Sequence, residues 1–262
     1  MSNISKAFDH GKAFIPFITC GDPDLETTKR IVVEMEKAGA DLVELGIPFS
    51  DPTAEGAVIM EANMRALAGG VTSDDVFQMV RQLRREESVQ VPMVFMTYAN
   101  VLFSYGKERF IANSLEAGMD GFILPDVPYE EKDEFDSLCR EAGLDLISMI
   151  APTSMERVRR IAGDAEGFLY CVSSLGVTGT RDSIGTDISG MIDIAKAEAP
   201  RIPCAVGFGI STPKQAAQFA EFADGVIVGS AIVKLCAQYG SEAPEYIGDY
   251  IQSMKAAMGG RD

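Results

Sequence analysis

Eight short apolar runs, each followed by a longer amphipathic stretch, place the strongest constraint on how this 262-residue chain can fold. The runs cover residues 13–19, 41–46, 92–96, 121–124, 144–150, 168–172, 204–208 and 225–228, and they are rich in Val, Ile and Phe. Runs of that length and composition read as strands. Between and after them the apolar positions recur at helical spacing, over 25–38, 73–85, 107–117, 130–142, 154–161, 187–197, 213–222 and 243–258. Strand then helix, repeated without consecutive hairpins, gives a parallel sheet. A doubly wound open sheet would alternate in the same way, but eight units on about 250 residues favour closure into a (β/α)8 TIM barrel. No low-complexity linker or shift of composition interrupts the pattern, so residues 1–262 are expected to form a single barrel domain. Local signals agree: Ser211-Thr212-Pro213 puts a capping hydroxyl ahead of a proline at the first helical position.

Composition then narrows the chemistry. A formal net charge of −16 opposes binding to nucleic acid or to an anionic membrane. The five cysteines (Cys20, Cys139, Cys171, Cys204 and Cys236) form no C-x-x-C pair and sit mostly in apolar runs, as inert core thiols of a reducing compartment do. No secretory leader and no stretch near the ~20 apolar residues of a membrane span is present, which points to the cytoplasm. The sole histidine, His10, lies in the polar amino-terminal segment. Ser-His-Asp, Cys-His and histidine-ligated metal chemistry are thereby excluded, and proton transfer falls to carboxylates, lysine, tyrosine or water.

In a barrel of this kind the chemistry sits on the loops that follow the strands. The first run ends in Gly21-Asp22-Pro23, a turn and helix-start signal whatever the function. The second carries Leu42, Glu44 and Gly46 on one face and Val43 and Leu45 on the other. If the latter pack beneath helices, Glu44 points into the barrel near its mouth, where desolvation raises a carboxyl pKa into the range of a general acid. Glu55 offers a second acid on the loop beyond, and Asp51 could cap a helix, meet a ligand or face another protein. Glycine-rich segments follow the last three runs, at 173–181, 207–211 and 228–232. Loops after strands seven and eight, with the start of a short helix, hold a phosphate dianion through backbone N–H groups, which reconciles an acidic chain with an anionic ligand.

These segments, taken in order, resemble the α subunits of tryptophan synthase over essentially the whole chain. The matching stretches are Pro16-Phe17-Ile18-Thr19 with Gly21-Asp22-Pro23, Val43 through Pro52, Tyr98-Ala99-Asn100, Asp126-Val127-Pro128, Gly176-Val177-Thr178-Gly179, Gly207 through Ser211 and Val228 through Val233. The resemblance implies retro-aldol cleavage of indole-3-glycerol phosphate to indole and glyceraldehyde 3-phosphate, without metal or organic cofactor. It makes Glu44 the acid that protonates indole C3 and then takes the side-chain hydroxyl proton. It sets Glu55 where the family usually has an aspartate that holds the indole N–H and steadies the charge on the ring. Phe17, Ile59, Tyr98, Leu124, Tyr170 and Phe208 would surround the indole. Gly179, Gly209, Gly229 and Ser230 would cradle the phosphate, and Thr178 would ride on a mobile loop. A β subunit carrying pyridoxal phosphate is implied as partner, met through Pro48, Asp51, Asn100 and Asp126 in an α2β2 heterotetramer.

Thr53, Glu55 and Ala57 stand where the commoner family form has leucine, aspartate and proline. The extra methylene of Glu55 obliges its carboxylate to retract or the loop to shift by about an ångström, enough to alter a rate. The alternative expectation is therefore a catalytically weak or silent α-type subunit that mainly activates the β subunit. A barrel enzyme acting on a different phosphate ester is the more distant one.

Overall fold

A computed structural model describes residues 2–173 and 184–259 of the chain. Its strands are β1 (Ala13–Thr19), β2 (Val43–Gly46), β3 (Met93–Met96), β4 (Gly121–Ile123), β5 (Asp145–Ile150), β6 (Leu169–Val172), β7 (Cys204–Gly207) and β8 (Gly225–Val228). They pair in sequence order, all parallel, and β8 returns to β1, closing the barrel. Around them run α1 (Leu25–Lys37), α2 (Ala57–Ala68), α3 (Ser73–Arg85), α4 (Ala99–Tyr105), α5 (Lys107–Ala117) and α6 (Asp133–Ala142). The ring is completed by α7 (Met155–Gly163), α8 (Ile184–Glu198), α9 (Pro213–Ala220), α10 (Ser230–Tyr239) and α11 (Ala243–Ala257). The barrel expected from the alternating pattern is the one observed.

Strand alternation divides the apolar residues into two layers. Ala13, Ile15 and Phe17 of β1 join Leu42, Val94, Met96, Ile123, Ile147, Tyr170, Ala205 and Ile227 in an inner cluster. Phe14, Ile18, Val43, Leu45, Phe95, Phe122 and Val226 face the helices in an outer one. Both faces of each strand are thus covered, which is why the strands read as nearly continuous apolar runs. The outer layer is densest where Phe77 of α3 meets Phe95 edge-on, with ring centroids 5.8 Å apart, and Phe110 of α5 at 5.1 Å. Truncating Phe95 to alanine there removes about 3–5 kcal/mol of stability.

The helix starts follow local rules. Asp24 accepts from the Thr27 N–H at 2.7 Å to begin α1, and Thr212 with Gln215 forms a capping box ahead of Pro213 in α9. The last helix ties the ring shut: Lys255 of α11 reaches Asp41 at 2.5 Å, and Asp41 accepts from the Phe14 N–H at 2.8 Å.

Several pieces go beyond the sequence-based pattern. A 3₁₀ turn, Ile4–Phe8, plugs the end of the barrel opposite the strand C-termini. Ile4 and Ala7 are buried there, and the Phe8 ring lies 5.8 Å from Phe168. Helices α2, α4 and α10 are additional to the periodic segments. In α2 the apolar residues lie on both faces, with Met60, Met64 and Leu67 exposed and Ala62 and Ala66 buried, so no amphipathic stripe announces it. α2 packs against α10 and against β1, which brings the start of both helices to the mouth of the barrel.

Candidate active site

At the C-terminal ends of the strands lies a cavity of about 570 Å³. That volume is within the range of small-molecule sites. Its lining draws on six strands or the turns that follow them: Phe17 from β1, Glu44 from β2, Met96 from β3, Tyr170 from β6, and Ile227 from β8, with Phe208 just past β7. Glu55, Gly56 and Ile59 close one side, and Gly209, Gly229, Ser230, Ala231 and Lys234 contribute another.

Glu44 stands on the inner face because Leu42, two residues earlier, belongs to the inner cluster. The register puts it beside Phe17 of β1 and Val94 of β3. It is 1 % exposed, and neither carboxylate oxygen has a hydrogen-bond partner among the described residues. An ionised carboxylate in such a place forfeits its hydration with nothing in return, so burial drives its pKa well above the ordinary 4.5. Tyr170 shares the floor of the cavity, and burial, followed by the proximity of Glu44, raises its phenol well above the ordinary range. At the floor, burial thus favours the neutral form of both groups.

Glu55 is placed differently. It lies just before Gly56, the N-cap of α2, and is partly buried. The Asn63 amide donates to its Oε2 at 2.7 Å, and the Tyr98 hydroxyl also donates toward it. That hydroxyl in turn accepts from the Ala54 N–H at 3.3 Å. Burial raises the Glu55 pKa, while the bonds from Asn63 and Tyr98 pull it down.

The turns after β7 and β8 are shaped by close packing. A Cβ on Gly207 would stand 2.5 Å from the Tyr170 hydroxyl, and one on Gly46 would stand 2.6 Å from the Phe17 ring. Both glycines make room for rings that line the cavity. Phe208 takes φ +73°, a strained conformation for a bulky residue, and Gly209 follows at +77°. The consequence is a sharp reversal that sets the Phe208 ring edge-on to Tyr170 at 6.0 Å. The Ser173 hydroxyl donates to the Phe208 carbonyl and ties the turn to β6. At the start of α10, Gly229 is the N-cap and no side chain caps the helix, so its leading N–H groups are left for an anionic ligand in the cavity. Lys234, one turn further along, adds a cation to that wall.

Most of the residues singled out in the sequence therefore meet in one place: Phe17, Glu44, Glu55, Ile59, Tyr170, Phe208, Gly209, Gly229 and Ser230 line the cavity, and Tyr98 adjoins it through Glu55. Leu124 does not. It packs in the outer cluster and lines a separate cavity of about 180 Å³ with Tyr129, Ser148 and Arg157. Period-2 alternation along β4 turns Ile123 inward and Leu124 outward, which takes the Leu124 side chain away from the barrel interior. Thr178 and Gly179 lie outside the described residues. Asp51, Asn100 and Asp126 are exposed, and Asp126 accepts from the Ala99 N–H at 3.1 Å at the start of α4. Pro48 is buried within the chain. Met96, Ile227, Lys234 and Asn63 were missed. Of these, Met96 was signalled by its place two residues after Val94 on the inward face of its strand.

With this geometry in view, comparison with known proteins is informative. The family model described as tryptophan synthase alpha chain matches residues 4–258. The tryptophan synthase alpha chain of Lacticaseibacillus casei is 44 % identical over 258 residues, spanning 98 % of this chain and 96 % of the relative. The crystal structure of tryptophan synthase subunit alpha from Legionella pneumophila superposes with a TM-score of 0.88 at 40 % identity, covering 98 % of each chain. A chain of the tryptophan synthase complex from Pyrococcus furiosus gives 0.84 at 33 % identity over 94 % of this chain and 99 % of its own.

Proposed function

The chain belongs to the tryptophan synthase alpha chain family, and from that premise we propose that its cavity holds indole-3-glycerol phosphate with Glu44 as the proton shuttle. The activity is that of a lyase in tryptophan biosynthesis, cleaving this ester to indole and glyceraldehyde 3-phosphate. The observation that carries the assignment of Glu44 is its burial, unpartnered, at the floor of a cavity whose opposite wall is an uncapped helix start.

Protonated Glu44 gives its proton to C3 of the indole, and positive charge spreads over the ring and its nitrogen. The carboxylate so formed takes the proton of the neighbouring side-chain hydroxyl. The O–H electron pair becomes the carbonyl of glyceraldehyde 3-phosphate, the carbon–carbon bond breaks, and its electrons restore the aromatic ring. Glu44 ends as it began. Glu55, held by Asn63 and Tyr98, accepts from the indole N–H and stabilises the cationic ring, a form of catalysis that is often the largest contribution. Phe17, Ile59, Tyr170 and Phe208 enclose the ring, and Gly209, Gly229 and Ser230 receive the phosphate on backbone N–H groups. Each proton step is met by a side chain of this protein, which is why we read the reaction as needing no cofactor here.

A β subunit is the partner this reading implies, with pyridoxal phosphate confined to it. Exposed Asp51 and Asn100, together with Phe103, which is 52 % exposed on α4, supply a mixed polar and apolar surface beside the mouth. Among the described residues no helix is long and apolar enough to cross a membrane, and a cytoplasmic location accords with the substrate. Indole release from indole-3-glycerol phosphate, measured with and without a β subunit, tests the reading. Turnover by the native chain and its loss in Glu44→Gln, with binding of an indole-propanol phosphate analogue retained, is the expected result. Near-native turnover by Glu44→Gln overturns the role given to that residue.

A further inference from the structure

The buried face of α2 consists of Ala62, Asn63 and Ala66. An amide between two alanines on such a face calls for a reason, because a buried polar group costs stability unless it is bonded. Asn63 is 3 % exposed, and its amide nitrogen donates to Glu55 Oε2 at 2.7 Å, across the first two turns of the helix. Helical side chains lean toward the N-terminus, so a residue two turns in can reach back to the loop that precedes the N-cap. We propose that Asn63 is the positioning residue for Glu55: its amide fixes where the carboxylate stands above the cavity to meet the cationic ring. The proposal rests on the proposed function.

The chemistry of the contact is one-sided. An amide N–H donates and never titrates, so it favours the charged form of Glu55 and opposes the burial that favours the neutral one. The other groups around Glu55 are the Tyr98 hydroxyl from the start of α4, Glu44 on the floor and Lys234 of α10 on the far wall. Tyr98 is a second donor, but burial and the neighbouring Glu55 charge raise its own pKa, so it stays a neutral phenol throughout the working range. Asn63 also suits the glutamate that this chain carries. With a side chain about 1.5 Å longer than aspartate's, Glu55 has more freedom to swing, and the amide removes it.

The test is a pH–rate profile for indole release by the native chain, Asn63→Leu, Glu55→Gln and the double variant, with thermal unfolding to confirm folding. Leucine matches asparagine in bulk and cannot donate. Asn63→Leu should lower kcat by about tenfold or more with KM changed by less than about threefold, and its acid limb should move to higher pH. In the Glu55→Gln background the same substitution should add less than about twofold. An unmoved acid limb, or an equal loss in both backgrounds, assigns Asn63 a merely structural role and overturns the proposal. Should the native chain release no indole, the functional reading fails by itself, and ¹³C NMR titration of Glu55 decides the point. A Glu55 resonance that titrates at the same pH in the native chain and in Asn63→Leu then overturns the proposal, whereas a rise in Asn63→Leu supports it.

Discussion

The floor and the rim of the cavity each hold a glutamate, and the two are treated oppositely by the fold. Glu44 is buried with no hydrogen-bond partner among the described residues, while Glu55 is partly buried and gripped by an amide and a phenol. Burial acts upward on both pKa values, but only at the rim do hydrogen bonds oppose it. The charged form is opposed by burial at both places and supported by hydrogen bonds at one, and the difference lies in the partners. In the main chain the distinction traces to where each residue sits: Glu44 within a strand whose neighbours present Phe17 and Val94, Glu55 in a loop that runs into a helix start.

The contrast can be broken from the floor first. Glu44→Gln keeps the shape and removes the proton, so kcat should fall by about 10²- to 10⁴-fold with little change in KM. A loss below tenfold in steady-state indole release would remove Glu44 from the chemistry. Glu55→Gln attacks the rim, and there a loss of about 10²- to 10³-fold is expected, the size seen when one electrostatic partner of a transition state is removed. The pH profile separates the two further. The proposed mechanism requires Glu55 without its proton and Glu44 with it, which assigns the acid limb to Glu55 and the alkaline limb to Glu44. Glu55→Gln should erase the first and leave the second; the reverse pattern would exchange their roles.

A smaller effect comes from Gly207. Its replacement by alanine sets a methyl against the Tyr170 hydroxyl, and the displaced ring should raise KM by about tenfold while leaving the proton chemistry in place. The smallest is a matter of stability. Because burial holds the folded Glu44 pKa above its unfolded value near 4.5, the group costs the fold nothing below that pH, and the penalty grows as pH rises toward the folded pKa. Glutamine has no proton to lose. The Tm of Glu44→Gln should accordingly equal that of the native chain in acid and exceed it by a few degrees at neutral and alkaline pH, as scanning calorimetry would show.

Much of this architecture could be read from the chain because period-2 alternation is visible in sequence. Val43 and Leu45 had to face the helices, so Glu44 had to face the cavity. Leu124, set beside the indole by resemblance, faces the helices instead, and the inward position at the end of the three-residue β4 is Ile123. Contacts made through the geometry of a helix start were illegible. Nothing in the spacing of Glu55 and Asn63 marks a bond between them, because residues eight apart do not adjoin on a regular helix and meet here only through the turn at Gly56. The left-handed Phe208 was equally hidden, since a bulky residue there defies local preference and is held by Ser173 and the ring of Tyr170. The amino-terminal plug has too short an apolar stretch to signal itself, and only the barrel's open end explains Ile4 and Phe8.

The central claim is that Glu44 rests as a neutral acid because the fold gives it burial without a partner. Difference infrared spectroscopy of the native chain against Glu44→Gln at neutral pH tests this directly in the carboxylic acid carbonyl region. A protonated carboxyl band present in the native protein, absent in the variant and persisting well above the ordinary carboxylate range is the predicted result. A spectrum in which that carboxyl is ionised at neutral pH, titrating near 4.5, would contradict it.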